Sequence, residues 1–355
     1  MEVIYSAGYP IHFEQSLEAL GSFIFSNNYS KIFFLADRNT AEYCLPLVIE
    51  AIPELENYDI IEVDPGEENK NIDFCIGIWK MLLDFNADRK SLLINLGGGV
   101  VTDMGGFAAA TYMRGIDFVQ VPTTLLAQVD ASVGGKTGID LDGVKNIIGT
   151  FSLPKAVFIE ERFLQSLDRR QLVSGFAEMI KHGLIADRGY YQYLKVDGPA
   201  EINITEIYRS MQLKNEVVTE DPKEAGKRKM LNFGHTIGHA IETYFMETGN
   251  GILHGDAIGM GMICESYLSN KLNGLPDDEL KDISQFLLTW YGKYQLDSES
   301  FDRLLELMQK DKKNTSGQIG FALLTRIGEC TWDHYVSEDD IRDSLAYYQQ
   351  LTQEN

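Results

Sequence analysis

Two histidines four residues apart raise the question of a metal. His235 and His239 lie in LNFGHTIGHAIETYF (231–245), where apolar residues recur at three- and four-residue spacing and predict a helix. That spacing puts both imidazoles on one face, one turn apart. A catalytic zinc site takes about three protein ligands and keeps a position open. Further donors are Glu178 and His182 in SGFAEMIKHG, and His254 in GILHGDAIGMGM. Spacing alone selects His235 and His239 with Glu178 third; two helix-packing histidines are the alternative. Thr236 follows the first histidine where zinc proteases place a glutamate, which argues against a protease. Glu178 and Lys181 stand three apart. Their neighbours Gly175, Phe176, Ala177, Met179 and Ile180 favour a buried functional pair over a solvated one.

Two glycine-rich stretches could handle anions. In SLLINLGGGVVTDMGGFAAATYMRG (91–115) an apolar strand ends in three glycines and a helix-like segment follows. Glycine permits a tight turn and close ligand approach, and the helix N-terminus then offers N–H groups to phosphate. Gly97 and Gly99 fit a dinucleotide fingerprint, but Thr102 occupies its third glycine position, and no acidic residue ends a following strand at the usual distance. A nucleotide turn and a purely structural turn both remain open. GGKTG (134–138) resembles the end of a P-loop, yet Asp130 stands where that pattern needs its first glycine. This excludes a Walker-type NTPase. DASVGGKTGIDLDGVKN (130–146) still carries Asp130, Lys136, Lys145 and Asn146 along glycine-rich backbone. Such a segment suits a phosphorylated or carboxylated substrate, with a flexible surface loop as the alternative.

The elements that must position these residues fall into two halves. KIFFLA (31–36), YDIIEV (58–63), SLLINL (91–96) and IDFVQVP (116–122) read as strands, separated by amphipathic runs such as IDFCIGIWKMLLDF (72–85). That alternation predicts a parallel sheet covered by helices. After AVFIE (156–160) the patterns turn helical, as in FLQSLDRRQLVSGFAEMIKHGLIAD, ITEIYRSMQLKNEVVTED, DDELKDISQFLLTWYGKY and ESFDRLLELMQK, with QIGFALL (318–324) returning to strand. We expect an α/β domain over residues 1–158 and a mostly helical domain over 159–355, without internal repeats.

Composition narrows the function classes. A chain of 355 residues suits two domains, and its net charge of −22 repels nucleic acid and anionic membrane. A cluster of Lys and Arg in so acidic a chain therefore points to a local purpose. No apolar run reaches the ~18 residues of a membrane span, and MEVIYSAGYPIHFEQ lacks the features of a signal peptide. Cys44, Cys75, Cys264 and Cys330 lie far apart with no CxxC pair, as expected of reduced thiols in a cytoplasmic protein.

Taken together, GGGVVTDMGGFAAATYMRG, YMRGIDFVQVPTTLLAQVDASVGGKTGIDLDGVKNIIGTF, SGFAEMIKHGLI, LNFGHTIGHAIE, LHGDAIGMGM and MQKDKKN resemble the 3-dehydroquinate synthase family of the sugar phosphate cyclase superfamily. The resemblance spans nearly the whole chain, with motifs in family order. It implies an α/β Rossmann-like nucleotide-binding N-terminal domain plus a mostly α-helical C-terminal metal-binding domain, with the active site between them. It implies Zn2+ or Co2+ held by Glu178, His235 and His254, and moves His239 from the metal to the substrate. The substrate pocket would comprise Asp130, Lys136, Lys145, Asn146, Lys181, Lys214, Arg228, Asn232, His239 and one of Lys312 and Lys313. Arg114 matches an arginine that reaches the neighbouring subunit's site, which implies a homodimer. NAD would contact Asp37, Gly66, Glu67, Lys70, Gly98, Gly99, Val100, Asp103, Thr123, Thr124, Lys136, Lys145, Phe163 and Ser166. Two positions depart from the family pattern. Thr102 replaces a common glycine and would crowd the pyrophosphate; Ser166 replaces a common threonine but keeps the hydroxyl.

The implied substrate is 3-deoxy-D-arabino-heptulosonate 7-phosphate, a small-molecule sugar-acid phosphate. In the implied reaction NAD oxidises carbon 5, phosphate is eliminated, the ketone is reduced again, and ring opening with aldol closure gives 3-dehydroquinate. Arg228 and Lys214 would bind the carboxylate. Lys136, Asn146, Asn232, His239 and Lys312 or Lys313 would surround the phosphate. Sibling cyclases acting on sedoheptulose 7-phosphate or glucose 6-phosphate, and metal-dependent polyol dehydrogenases, are the alternatives. A buried Arg228 without a carboxylate partner would be costly, which favours the carboxylated substrate.

Overall fold

The computed structural model describes residues 1–141, 144–309 and 319–353. Lys312 and Lys313 therefore lie outside the described residues. The chain forms two compact units: Met1–Asp168 with Asn203–Asn215, and Arg169–Ile202 with Glu216–Asn355.

The first unit is built on strands β1 (Ile4–Ser6), β2 (Tyr9–His12), β3 (Ile32–Asp37), β4 (Asp59–Val63), β5 (Leu92–Gly97), β6 (Asp117–Pro122), β7 (Lys136–Leu141), β8 (Val144–Phe151) and β9 (Val157–Phe158). Seven of them form one sheet in the order β1-β2-β9-β6-β5-β3-β4, parallel except for the β1–β2 pair. Helices α1 (Ser16–Ser26), α2 (Arg38–Tyr43), α3 (Leu45–Ala51), α4 (Ile72–Asp84) and α5 (Gly99–Thr111) follow the strands they connect. A strand buried on both faces reads as an unbroken apolar run, and IFFLA in β3 is one. Its residues alternate between two cores. Phe34, Ile94 and Val119 pack with Leu17, Leu20 and Val48 on one face; Phe33, Leu35 and Leu93 pack with Ile78, Met104 and Ala108 on the other. The chain runs from β3 outward to β4, then back to β5 on the opposite side of β3. In open α/β sheets such a reversal leaves a crevice at the carboxyl ends of the strands, where ligands bind. β7 and β8 form a separate antiparallel hairpin.

The second unit holds α6 (Arg169–Ala186), α7 (Arg188–Asp197), and, after α8 (Ile204–Glu220), α9 (His235–Glu247), α10 (His254–Asn273), α11 (Asp277–Tyr291), α12 (Ser300–Gln309) and α13 (Glu338–Gln353). The strand anticipated at QIGFALL is β10 (Gly320–Arg326). It pairs with β11 (Glu329–Tyr335), which the charged and mixed sequence ECTWDHY does not announce. Glycines allow α9 and α10 to approach closely. A Cβ on Gly261 would run into the backbone of Gly234 and Gly238, and one on Gly255 into Ser174 of α6. No helix among the described residues is long and apolar enough to cross a membrane.

Candidate functional site

In the second unit three helices bring metal-binding groups together. Glu178 lies in the middle of α6, His235 opens α9 and His254 opens α10. The Ser174 hydroxyl accepts the Gly255 N–H (2.9 Å), which ties the start of α10 to α6. His235 Nε2 and His254 Nε2 face the same oxygen, Glu178 Oε1, at 3.4 and 3.6 Å. The other ring nitrogens are engaged. His235 Nδ1 contacts the Phe233 carbonyl at 3.1 Å, and His254 Nδ1 contacts Glu242 Oε2 at 3.3 Å. A protonated Nδ1 at each ring leaves the Nε2 lone pair aimed at a carboxylate oxygen. Donors bound tetrahedrally at about 2.0–2.2 Å lie roughly 3.3–3.6 Å apart, so this spacing fits ligands around one divalent ion.

Electrostatics support the same reading. Glu178 is fully buried, and the Lys181 ammonium pairs with its Oε2. Burial opposes its ionisation, yet Lys181 and then His235 hold it well below the usual carboxylate range. Burial, then Lys181, lowers His235 and keeps its ring neutral. Burial would lower His254 too, but Glu242 and Glu178 together push it up to about 9. A buried carboxylate with one oxygen facing two imidazoles suits a cation that replaces the His254 proton. His239 stands one turn along α9, its ring centroid 5.1 Å from that of His235 and 5.8 Å from that of His254. Nitrogens of all three histidines come within 4.8 Å of one another. The i, i+4 pair thus shares a site, while Glu178 Oε1 faces His235 and His254.

Also in this unit, buried Arg228 lies on the 3-10 turn Lys227–Asn232. Asp221 accepts the N–H groups of Ala225 (3.0 Å), Gly226 (2.7 Å) and Arg228 (3.1 Å), and Arg228 Nη1 donates to the Pro222 carbonyl (2.8 Å). The Asn232 amide donates to Glu224 Oε1 (2.7 Å).

In the first unit the glycine turn ends β5 at the sheet's switch point. A Cβ on Gly98 would meet the Thr124 methyl at 2.9 Å. α5 starts at Gly99 with no side-chain cap. Asn95 donates to Gln120, and Gln120 donates to the Thr102 carbonyl (both 3.0 Å), which anchors the first turn of α5 to the sheet. Thr102 is fully buried, and its hydroxyl donates back to the Gly99 carbonyl (3.1 Å). At the end of β6 the buried Thr123 hydroxyl has no hydrogen-bond partner. An orphaned hydroxyl beside a bare helix N-terminus fits a phosphorylated cofactor. Asp37, at the end of β3, caps α2 through the N–H groups of Asn39 and Thr40. Phe163 is buried in the core, and the Ser166 hydroxyl donates to its carbonyl (3.2 Å).

Beside this turn, buried Lys70 donates to Asp103 Oδ2 (2.6 Å) and Asn146 Oδ1 (2.7 Å). Lys145 pairs with Glu67 at 3.3 Å. Burial pulls Lys70 down, but Asp103 and then Glu67 outweigh it and hold the ammonium above its ordinary range. Asn146 adopts a left-handed φ of 50° and donates its N–H to Asp140 (2.6 Å). Lys214 pairs with Asp130 Oδ1 at 2.7 Å. Lys136 is exposed at the start of β7, Val100 is half-buried on α5, and Gly66 takes a φ of 119° before the turn carrying Glu67. Arg114 is exposed and, with Met113, adopts a left-handed conformation.

Sequence reasoning missed Glu242, Asp221, Glu224 and Asp140. Glu242 was within reach: it follows His235 by seven residues and so shares its helix face. Asp221 and Glu224 act through loop contacts, and Asp140 through a contact across the β7–β8 hairpin, none of which carries a spacing signal.

A nucleotide-type parallel sheet and a helical unit with a carboxylate–imidazole cluster that could hold a metal define a two-domain class of enzyme fold. The N-terminal profile of 3-dehydroquinate synthase matches residues 60–174, and the C-terminal profile matches residues 175–314. The 3-dehydroquinate synthase of Parabacteroides distasonis is 44% identical over 335 residues, covering 93% of this chain and 95% of its own. A solved 2-deoxy-scyllo-inosose synthase, complexed with carbaglucose-6-phosphate, NAD+ and Co2+, matches with a TM-score of 0.86 at 25% identity, over 98% of this chain and 99% of its own. The 2-epi-5-epi-valiolone synthase of Streptomyces hygroscopicus, with NAD+ and Zn2+ bound, shares the fold at a TM-score of 0.86 and 23% identity, over 99% of both chains. The chain belongs to the 3-dehydroquinate synthase family.

Proposed function

We propose that this chain converts 3-deoxy-D-arabino-heptulosonate 7-phosphate into 3-dehydroquinate and phosphate, as a carbon–oxygen lyase using NAD and Zn2+ or Co2+. Within this family, the observation that carries the reading is the pair of Nε2 atoms facing one oxygen of Glu178. When bound, NAD would supply reversible hydride acceptance from carbon 5, and a metal held by Glu178, His235 and His254 would supply Lewis-acid stabilisation of the oxygen on that carbon.

The chain's own residues bind and orient. Arg228 offers a planar fork to the substrate carboxylate, with Lys214 as a second charge. Lys136, Asn146, Asn232, His239 and one of Lys312 and Lys313 hold the phosphate, joined by Arg114 from a second copy in a homodimer. Asp130 and Lys181 hold the proton of the hydroxyl at carbon 5. Holding one conformer near elimination is most of the catalytic task, which is consistent with many binding groups and few bases. All four cysteines are buried and outside any disulfide, in keeping with a cytoplasmic location.

The test is phosphate release from the heptulosonate phosphate with catalytic NAD, with absorbance followed at 340 nm. Many phosphates per NAD without accumulating NADH are expected, with activity lost on chelation and restored by zinc. Absence of phosphate release would sink the reading. The likeness to 2-deoxy-scyllo-inosose synthase keeps a carboxylate-free sugar phosphate as the second reading. Turnover of glucose 6-phosphate in its place would establish that reading.

A further inference from the structure

Helix α9 carries His235, His239 and Glu242, yet its own sequence cannot cap its start. Gly234, the residue before His235, has a φ of 80°, and a Cβ there would meet the Met262 side chain and, at 3.2 Å, the Ile258 carbonyl. The position three residues into α9 is Ile237. A capping box needs a polar side chain at both places, and this helix has neither. Gly234 through Gly238 are all buried, so water does not serve the orphaned N–H groups of the first turn.

Glu265 of α10 serves them instead. Its carboxylate has no solvent exposure. Oε2 accepts the Gly234 N–H at 2.6 Å, and Oε1 accepts the Ile237 N–H at 3.1 Å. These are the two donors that a capping box would satisfy, here reached by one carboxylate from a neighbouring helix. Its negative charge also opposes the positive end of the helix dipole. Glu265 lies eleven residues after His254 on α10, a spacing that returns to the same helix face. The two helices are therefore clamped twice: Glu265 holds the N–H groups on either side of His235, and Glu242 of α9 holds His254 Nδ1.

We propose that Glu265 is a positioning residue for the metal centre: by capping α9 from α10 it sets His235 Nε2 against Glu178 and His254. The assignment rests on the metal reading above. An amide in its place offers one acceptor oxygen and turns an NH2 toward a backbone N–H, leaving a buried donor unsatisfied.

The test is zinc affinity, measured on purified Glu265→Gln by competition with a chromophoric chelator, together with the visible spectrum of the Co2+-loaded protein. Zinc binding about ten- to a hundredfold weaker is expected, with a changed cobalt spectrum and native far-ultraviolet dichroism. Asn273→Ala is the comparison. It removes hydrogen bonds from α10 to the Leu323 carbonyl and Thr331 and should leave zinc affinity unchanged. A purely structural role for Glu265 would make the two variants alike, and a Glu265→Gln affinity within twofold of wild type would overturn the proposal. If Glu265→Gln does not fold, Glu265→Asp keeps the charge but withdraws it from both N–H groups; unchanged affinity there would overturn the proposal equally. Wild-type protein that retains neither zinc nor cobalt would overturn the metal centre itself, and this assignment with it.

Discussion

At Glu178 a carboxylate without solvent exposure faces two imidazoles and an ammonium, an arrangement suited to holding a cation between carboxylate and imidazoles. Replacing Glu178 or His254 by Ala should abolish metal retention, read as metal per chain by elemental analysis. Undiminished zinc in either variant would refute the ligand set. Glu242→Gln should weaken zinc binding about ten- to a hundredfold without abolishing it, because the amide still orients the His254 ring but no longer raises its basicity. Lys70 is 3% exposed and bonded to Asp103. Lys70→Ala strands the half-buried Asp103 carboxylate, and a loss of about 1–3 kcal/mol in urea unfolding is expected. These donor types were legible in the sequence because few residue types bind metals or anions. Their partners were not: Glu242, Asp221 and Glu224 are ordinary surface residue types until contacts reveal them.

The elements locate each group to within one turn, and their ends decide the rest. Gly234 holds the start of α9 at a φ of 80° against Met262. Gly234→Ala combines left-handed strain with a clash, and should destabilise by about 1–3 kcal/mol in chemical denaturation. The loop between α8 and α9 depends on Asp221. Burial favours its neutral form, but the N–H groups of Gly226, Ala225 and Arg228 win and hold it below its ordinary value. A carboxylate lowered on folding contributes stability that is present above its unfolded pKa and lost as pH falls through the folded one. Wild type should thus exceed Asp221→Asn in stability at neutral pH, with the gap closing in acid below the usual carboxylate range. A pH-independent gap would contradict the hydrogen-bond account.

Across the whole molecule, the homodimer is the expectation with the most distinctive test. If Arg114 serves the site of the second copy, Arg114→Ala and Glu178→Ala are each inactive alone. Refolded together, they should regenerate up to about one quarter of wild-type activity, because half the dimers are mixed and each of those has one intact site. No recovery, with dimers shown by sedimentation, would place Arg114 outside the neighbouring site.

The strand–helix rhythm, the glycine turn and the clustering of histidines in the second half were determined by sequence alone. Periodicity and backbone permissiveness are local properties, so IFFLA had to be a buried strand and LGGG had to turn. Spacing alone paired His235 with His239, because only one helix is visible along a sequence. That Glu178 Oε1 faces His235 and His254, from residues 57 and 76 positions away, was decided by the packing of α6, α9 and α10 through Gly255, Gly238 and Gly261. The same holds for the return of Asn203–Asn215 to the first unit, where Lys214 finds Asp130. Long-range contacts of this kind depend on which surfaces fit together, and no local pattern encodes that fit.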